Sequence, residues 1–559
     1  MFKINTASLA FLVLSSSVFA GQPPDENSQS QQISPYPAQQ NTIAVKSPAT
    51  FTIVRFRVLG NTLLDARLVD DLLLGFTGSG KGVQEIQQAQ QALEDAYRQA
   101  GYTRVRVLVP PQEIKDGTVT LTAIEFKLGH IAISGNQYHD NDNILSALPA
   151  LVPGKPASSS ILSKNLRLAN ENPSRHLDLA LAMGNEVGTV DARVNVQDAP
   201  AHKILLTFDN TGNSSTGQYR VGLAYQNSNL FDRDHAATLS YTTSPDHIGD
   251  VKQISASYRL PLYSLGDSLD AIAAYTDTNA GTTNTVAGPM SFSGKGHIGG
   301  IHYNHYFAQT GEYTSLVTGS LDYRAYTNNC SVGVFGSAAC GSAAANTTVH
   351  PVSFTYAGSW NKPSLLANFS TAVVRNLSGG AHGGDADFAA ARPSPLGMAG
   401  ANANYTLYQL NGSLLFVLPQ DWRLRFSARS QYTHDALISG EQIGLTGMNT
   451  VRGYKEREAS RDKGYIGNIE VYTPNIAPKL GMTDDSLQLL AFVDHAKGWN
   501  VNLAGETDSK ITAGNVGIGA RYENRGGVSV RFDVGRAGNT VGTTRSGDWR
   551  GHLSLLFNL

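Results

Sequence analysis

The chain has 559 residues, with 43 Lys and Arg against 45 Asp and Glu; the formal charge of −2 leaves no cationic excess for holding a nucleic-acid backbone. Charged residues make up 16% of it and 56 positions are Gly, against roughly 25% charged residues in an average soluble protein. That balance fits a cytosolic enzyme poorly.

Lys3 precedes an apolar run around Leu9, Phe11, Leu12, Val13 and Leu14, followed by small residues and Val18-Phe19-Ala20. The run is shorter than the roughly 20 residues of a membrane-spanning helix, so residues 1–20 read as a secretory signal peptide. No later stretch holds 18 consecutive apolar residues. The mature chain is therefore expected either to stay soluble outside the cytoplasm or to cross a membrane as β-strands. Residues 21–50, with Pro23, Pro24, Pro35 and Pro37 among Gln, Ser and Asn, are expected to form a linker.

Thr52 to Val58 alternates as a strand does and stops at Gly60-Asn61; Ile131 to Ser134 runs likewise into Gly135-Asn136, 135 − 60 = 75 residues later. Helical spacing follows the first turn at Leu63–Leu74 and at Val83–Ala100, where Ile86, Ala89, Leu93, Ala96, Tyr97 and Ala100 share a face. Strands at Arg104–Val109 and Thr118–Phe126 complete the unit. The second unit repeats the order with helices near Asp142–Leu148 and Ser160–Asn170 and strands around Leu177–Ala182 and Thr189–Val196. Residues 51–127 and 128–200 thus read as two β-α-α-β-β modules, each a small mixed sheet with helices on one face and an edge that can stay open.

From 201 to 559 helical spacing gives way to period-two alternation between polar loops, the pattern of a transmembrane antiparallel β-barrel. Tyr219, Val221, Leu223 and Tyr225 share one face, as do Ile254, Ala256, Tyr258, Leu260 and Leu262. Trp422, Leu424, Phe426 and Ala428 are expected to face lipid, and Arg423, Arg425, Ser427 and Arg429 a wet interior. Leu553, Leu555, Phe557 and Leu559 end the chain on an outward strand. Sixteen strands leave about 22 residues for each strand and its connection, compatible with spanning strands of about 9–11 residues. Cys330 and Cys340, the only cysteines, flank a Gly/Ser/Ala-rich stretch that suits a small disulfide ring in an oxidising compartment.

Two further patterns carry little chemistry. Gly75-Phe76-Thr77-Gly78-Ser79-Gly80-Lys81-Gly82 comes close to a phosphate-binding loop, but Gly82 replaces the metal-binding Ser/Thr and the segment joins two helices, so it reads as a flexible loop. His302 and His305 have opposite strand parity, so His297, His302 and His305 do not converge on a metal. No Gly-x-Ser-x-Gly or His-Glu-x-x-His motif occurs, and nothing in the sequence points to an enzyme or a cofactor.

A signal peptide, two 75-residue modules and a Gly/Tyr-rich barrel resemble the outer-membrane transporters of two-partner secretion, whose periplasmic modules are called POTRA domains. The sharpest local match is Gly447-Met448-Asn449-Thr450-Val451-Arg452-Gly453-Tyr454, followed by Asp462-Lys463-Gly464-Tyr465 and Glu470. It resembles the family's signature loop, which folds back into the pore with Val451, Arg452, Gly453 and Tyr454 at its tip. The resemblance implies that Arg452 pairs with an aspartate on the barrel wall. Phe492-Val493-Asp494 is the matching stretch, with Ala496 where the family places glycine. It also implies a barrel in the outer membrane lipid, modules in the periplasm, and a secreted partner polypeptide as cargo, with no nucleotide or nucleic acid as partner. The prolines between Pro23 and Pro37 argue against the long pore-plugging helix that the family often carries. A barrel-insertion factor of the same superfamily and a passive porin or receptor are the competing readings.

Overall fold

The computed structural model describes residues 50–213, 216–249, 251–285, 288–327, 342, 345–507 and 510–559. The expected signal peptide, nearly all of the linker, and Cys330 and Cys340 lie outside the described residues.

Each N-terminal module lays two helices across a three-stranded mixed sheet. In the first, Thr118–Glu125 is central, parallel to Arg55–Leu59 and antiparallel to Val105–Leu108. Alternation sends Val119, Leu121 and Ala123 inward against Val69 and Leu73 of helix Ala66–Leu74 and Ile86, Ala89, Leu93 and Tyr97 of helix Val83–Gln99. In the second, Thr189–Asp198 lies between Lys127–Ser134, parallel, and Arg175–Met183, antiparallel. Helices Asn141–Ser146 and Ser159–Ala169 cover it. Asp65, Asp140 and Ser158 cap their helices by accepting backbone N–H groups of the first turn.

The two Gly-Asn turns are built alike. Gly60 and Gly135 have φ of +78° and +88°, and a Cβ on either would stand 2.3 Å from a carbonyl oxygen of the central strand, Ala123 or Val196. Only glycine fits so close an approach at positive φ. A carboxylate at the end of each central strand then gathers the turn's amides. Glu125 accepts from Thr62 N and Leu63 N at 2.8 and 3.1 Å, and Asp198 accepts from Gln137, Tyr138 and His139 N at 2.8 to 3.0 Å. Burial pushes the Tyr97 hydroxyl well above its usual pKa, helped by the neighbouring Glu125 charge.

The Gly75–Gly82 segment is not the flexible loop that its composition suggests. Gly78–Lys81 is a short strand paired with Phe51–Ile53. The carboxylate of Glu85 accepts from Gly82 N at 2.7 Å, so a side chain already occupies the start of the following helix, where a phosphate would sit.

From His202 onward the strands close into one antiparallel barrel of sixteen staves, Thr347–Val349 and Pro351–Lys362 forming one stave around His350. Neighbouring staves pair over as many as thirteen residues in one register, as between Ser486–Trp499 and Ile511–Glu523, whereas the closing seam pairs only Leu205–Asp209 with Ser554–Asn558. Leu239, Ile301, Leu321, Phe354, Leu410 and Ile518 project from the outer surface, a continuous apolar band of the kind that lipid covers. Trp422, Leu424 and Phe426 lie on that outer face, and Arg423, Arg425 and Arg429 line the bore.

The second module is bolted to one rim of the barrel. Arg175 donates to Asp234 at 2.6 Å with both side chains fully buried. Asn143 donates to Asn229 and the Asp232 carbonyl, Asn172 to the Ser228 carbonyl, Asn165 to the Tyr263 carbonyl and Arg167 to the Ser315 carbonyl. These contacts fall on the second to seventh staves and their turns.

Asp198 yields a prediction. Burial opposes its charge, but the N–H groups of Tyr138, Gln137 and His139 hold its carboxyl below the usual range. Asp198→Ala leaves those amides without their acceptor, at about 2 kcal/mol, so hydrogen exchange at Gln137–His139 should quicken about 30-fold. Because the folded pKa is depressed, the contribution is complete above about pH 4 and is lost as pH falls through the folded value. The difference between wild type and variant should therefore close in acid.

Candidate functional site

The segment between staves Arg423–Tyr432 and Lys463–Tyr472 turns back into the bore and is tied to its walls at four places. Its small hairpin, Ile443–Gly444 with Ser460–Arg461, narrows the two limbs. The tip carries Val451, Arg452, Gly453 and Tyr454, all buried.

Arg452 meets the wall first. Its Nε and Nη2 donate to the two oxygens of Asp494 at 2.8 and 2.7 Å, and its backbone N–H donates to Oδ2 at 3.1 Å. The remaining Nη1 donates to Glu470 at 2.7 Å and stands 3.7 Å from Asp533. The guanidinium also lies 3.5 Å over the ring of Phe492. Stave parity explains the convergence: Glu470, Phe492, Asp494 and Asp533 all occupy inward positions, and Asn468 Nδ2 donates to Asp494 at 2.7 Å from the neighbouring stave. Ala496, at the place of the family's glycine, points inward too and is fully buried, so Phe492 and Asp494 keep their register.

The residues around Arg452 lock the tip. Gly453 adopts φ +85° against Gly535, and its N–H donates to His552 Nε2 at 3.1 Å. The Tyr454 hydroxyl lies 2.9 Å from the carbonyl oxygens of Gly514 and Asn539. Val451 and Tyr454 pack with Ile466, Ala496, Ala513 and Ala537 of the wall.

Three further carboxylates anchor the limbs, and sequence reasoning gave none of them a partner. Glu441 accepts from Arg324 Nη1 at 3.0 Å and from the Tyr326 hydroxyl at 2.7 Å, on the seventh stave. Glu458 accepts from the N–H groups of Thr543 and Thr544 at 2.6 and 2.9 Å. Asp462, fully buried, accepts from Arg392 Nη1 at 2.7 Å on both oxygens and from Leu437 and Val501 N–H groups. Arg392 also reaches Glu506 at 3.0 Å, which joins three connecting loops over the far end of the barrel. These contacts reach from Arg324 on the seventh stave to Asp533 on the fifteenth, eight places away in the closed order, so the segment straddles the bore. The only signal available beforehand was that Asp462 and Glu470 stand beside the matched motif.

The described residues contain no cluster of His, Cys, Asp and Glu able to hold a metal ion. His302 is turned inward onto Asp322 at 2.8 Å, and His305 pairs with Asp267 on the other face.

Barrel, tandem modules and an inserted arginine loop together define a secretion transporter of the outer membrane, its modules in the periplasm. A sequence model described as haemolysin secretion/activation protein ShlB/FhaC/HecB matches residues 188–521, more than half of the chain, and the chain belongs to that family. A model described as POTRA domain, ShlB-type, matches residues 51–125. The chain is similar to the heme/hemopexin transporter protein HuxB of Haemophilus influenzae strain 86-028NP, at 21% identity with 95% of this chain and 94% of that one covered. It is similar to the outer membrane transporter CdiB of Dickeya dadantii strain 3937, at 22% identity over 85% and 81%. CdiB from Escherichia coli shares the fold, with a TM-score of 0.70 and 16% identity over 93% of both chains.

Removing one partner from a buried, multiply bonded pair costs about 3–5 kcal/mol. In Asp494→Ala the amides of Val451–Tyr454 should therefore exchange at least about 100-fold faster in the purified full-length protein, while those of the Glu441 limb change little.

Proposed function

We propose that this transporter passes an unfolded partner exoprotein from the periplasm through the bore to the cell surface, with the Arg452 loop as the element that positions or gates the passage. The observation that carries the reading is the inserted loop: a polar tip held by charge pairs inside a closed barrel, in contact with walls that a passing chain must also touch. A passive porin has no need of two tandem modules, the second of them bolted to its rim.

The modules supply the receiving surface. Arg55–Leu59 and Val105–Leu108 are edge strands of the first sheet, and Lys127–Ser134 and Arg175–Met183 of the second. An unfolded polypeptide carries unpaired N–H and C=O groups along its length, and such an edge takes it up by strand addition. Division of the chain into residues 51–127, 128–200 and 201–559 puts recognition in the first two parts and passage in the third.

The reading assigns the chain no catalysis, nucleotide, nucleic acid or cofactor; the Gly75–Gly82 segment is spent on a strand and on the Glu85 contact. The driving force is then the folding of cargo outside, which traps each emerging segment. Outer membrane lipid is the partner of the apolar outer band. Arg452, with Asp494 and Glu470, biases the loop toward its seated state.

Two measurements test this. Deletion of the gene should remove one large exoprotein from the culture medium while other outer-membrane barrels assemble normally; a general barrel-assembly defect would favour the insertion-factor reading. Arg452→Asp and Asp494→Arg should each impair secretion and the double swap should restore part of it. Normal secretion by both single variants would falsify the role given to the pair.

A further inference from the structure

Beyond the loop, the bore is electrostatically lopsided. The six staves from Arg423–Tyr432 to Trp549–Asn558 direct inward Arg423, Arg425, Arg429, Arg521, Arg531 and Arg550 against Glu470, Asp494, Glu523 and Asp533, so 6 − 4 leaves an excess of two positive charges. On the facing staves the arginines are satisfied: Arg259 by Asp270, Arg324 by Glu441, Arg220 by carbonyl oxygens.

Arg429 differs from all of these. It is water-exposed in the bore, and its side chain has no hydrogen bond or ion pair among the described residues. It lines a cavity of about 130 Å³ beside the loop tip together with Arg425, Arg531, Asn368, Asn411 and Asn468. Amide side chains from three staves and one unspent guanidinium make a pocket that donates hydrogen bonds, and its four arginines, Arg425, Arg429, Arg452 and Arg531, outnumber its one carboxylate, Glu470. Arg423, nearer the periplasmic rim, is also exposed and unpaired; its charge reaches Glu523 without an ion-pair contact.

We infer that Arg423 and Arg429, with Arg425 between them already 3.4 Å from Glu470, form a cationic ladder that binds carboxylate side chains of the polypeptide in transit, with the Arg429 cavity as its principal site. The inference rests on the transport reading and names the chemistry of cargo that the bore favours. Spacing supports it. Arg423, Arg425 and Arg429 share one face of a strand that rises about 3.3 Å per residue, and an extended polypeptide alongside presents its own alternate side chains at the same interval. Position supports it as well. The second module covers the rim of the second to seventh staves, and the ladder climbs the eleventh, on the side that the module leaves uncovered.

The test uses purified full-length protein in detergent at low salt, with fluorescent hexaglutamate and hexalysine peptides as probes. Hexaglutamate should bind and hexalysine should not. Arg423→Gln with Arg429→Gln should weaken hexaglutamate binding about tenfold, the combined effect of two partly exposed charge contacts. Gln226→Ala on the facing wall, where among the described residues its side chain bonds only Thr238, should leave it unchanged. Neither arginine is in an ion pair among the described residues, so the thermal transition of the double variant should match wild type, which separates lost binding from lost folding. Equal binding of both peptides, or unaltered hexaglutamate binding by the double variant, overturns the ladder. Because no cargo enters the assay, that failure leaves the secretion result of the deletion strain standing on its own.

Discussion

A guanidinium buried to 2% exposure inside a membrane barrel is the feature on which the rest of the bore is organised. An isolated charge there would cost many kcal/mol in lost solvation. Arg452 avoids that cost because Asp494 takes two of its donors and its backbone amide, Glu470 takes a third, and Phe492 offers its ring face. Asp494 needs Arg452 in return, since among the described residues no other cationic side chain pairs with it, whereas Glu470 also meets Arg425 and Asp533 also meets Arg521 and Arg531. Neither Arg452 nor Asp494 is satisfied alone, and so charge balance favours the loop's seat inside the barrel before any packing is counted.

The periplasmic modules use the same economy of means on a smaller scale. Each needs a sharp exit from its first strand, and glycine at positive φ provides it in both. Each then has turn amides facing inward, and a terminal carboxylate of the central strand collects them. The second module goes further, spending Arg175, Asn143, Asn165 and Asn172 on barrel turns. Those buried polar contacts hold it to the rim and fix which part of the periplasmic opening stays clear.

Much of this was legible in one dimension. Alternation assigned Arg423, Arg425 and Arg429 to the bore and Trp422, Leu424 and Phe426 to lipid, because parity is a local property of a strand. The paired Gly-Asn turns marked the two modules for the same reason. Parity says which face a side chain takes but not the height at which it meets another stave, and so Glu470 and Asp533 could not be assigned to Arg452. Glu441 and Asp462 were further out of reach, since their partners Arg324 and Arg392 lie 117 and 70 residues away in sequence. The Gly75–Gly82 stretch misled because glycines signal a loop only until another strand, here Phe51–Ile53, supplies the missing hydrogen bonds.

The seated loop is held by more than charge, and this limits how it can move. Ile443, Leu445, Val451, Tyr454 and Ala459 are buried against Ile466, Ala496, Ala513, Ala537 and Val541, and each large apolar side chain contributes about 1.5–3 kcal/mol by leaving water. Withdrawing the whole segment would forfeit that burial together with four sets of carboxylate contacts. Exchanging one set at a time is far cheaper, because a polar tie in a wet bore can be traded for water or for a peptide group of similar strength. The staves cannot share the burden, as Tyr313–Thr327 is paired along both flanks while its two ends hold the second module at Ser315 and the loop at Arg324. On the proposed reading, local release of the loop makes space for a polypeptide, and the cavity at Arg429 lies directly beside the loop tip.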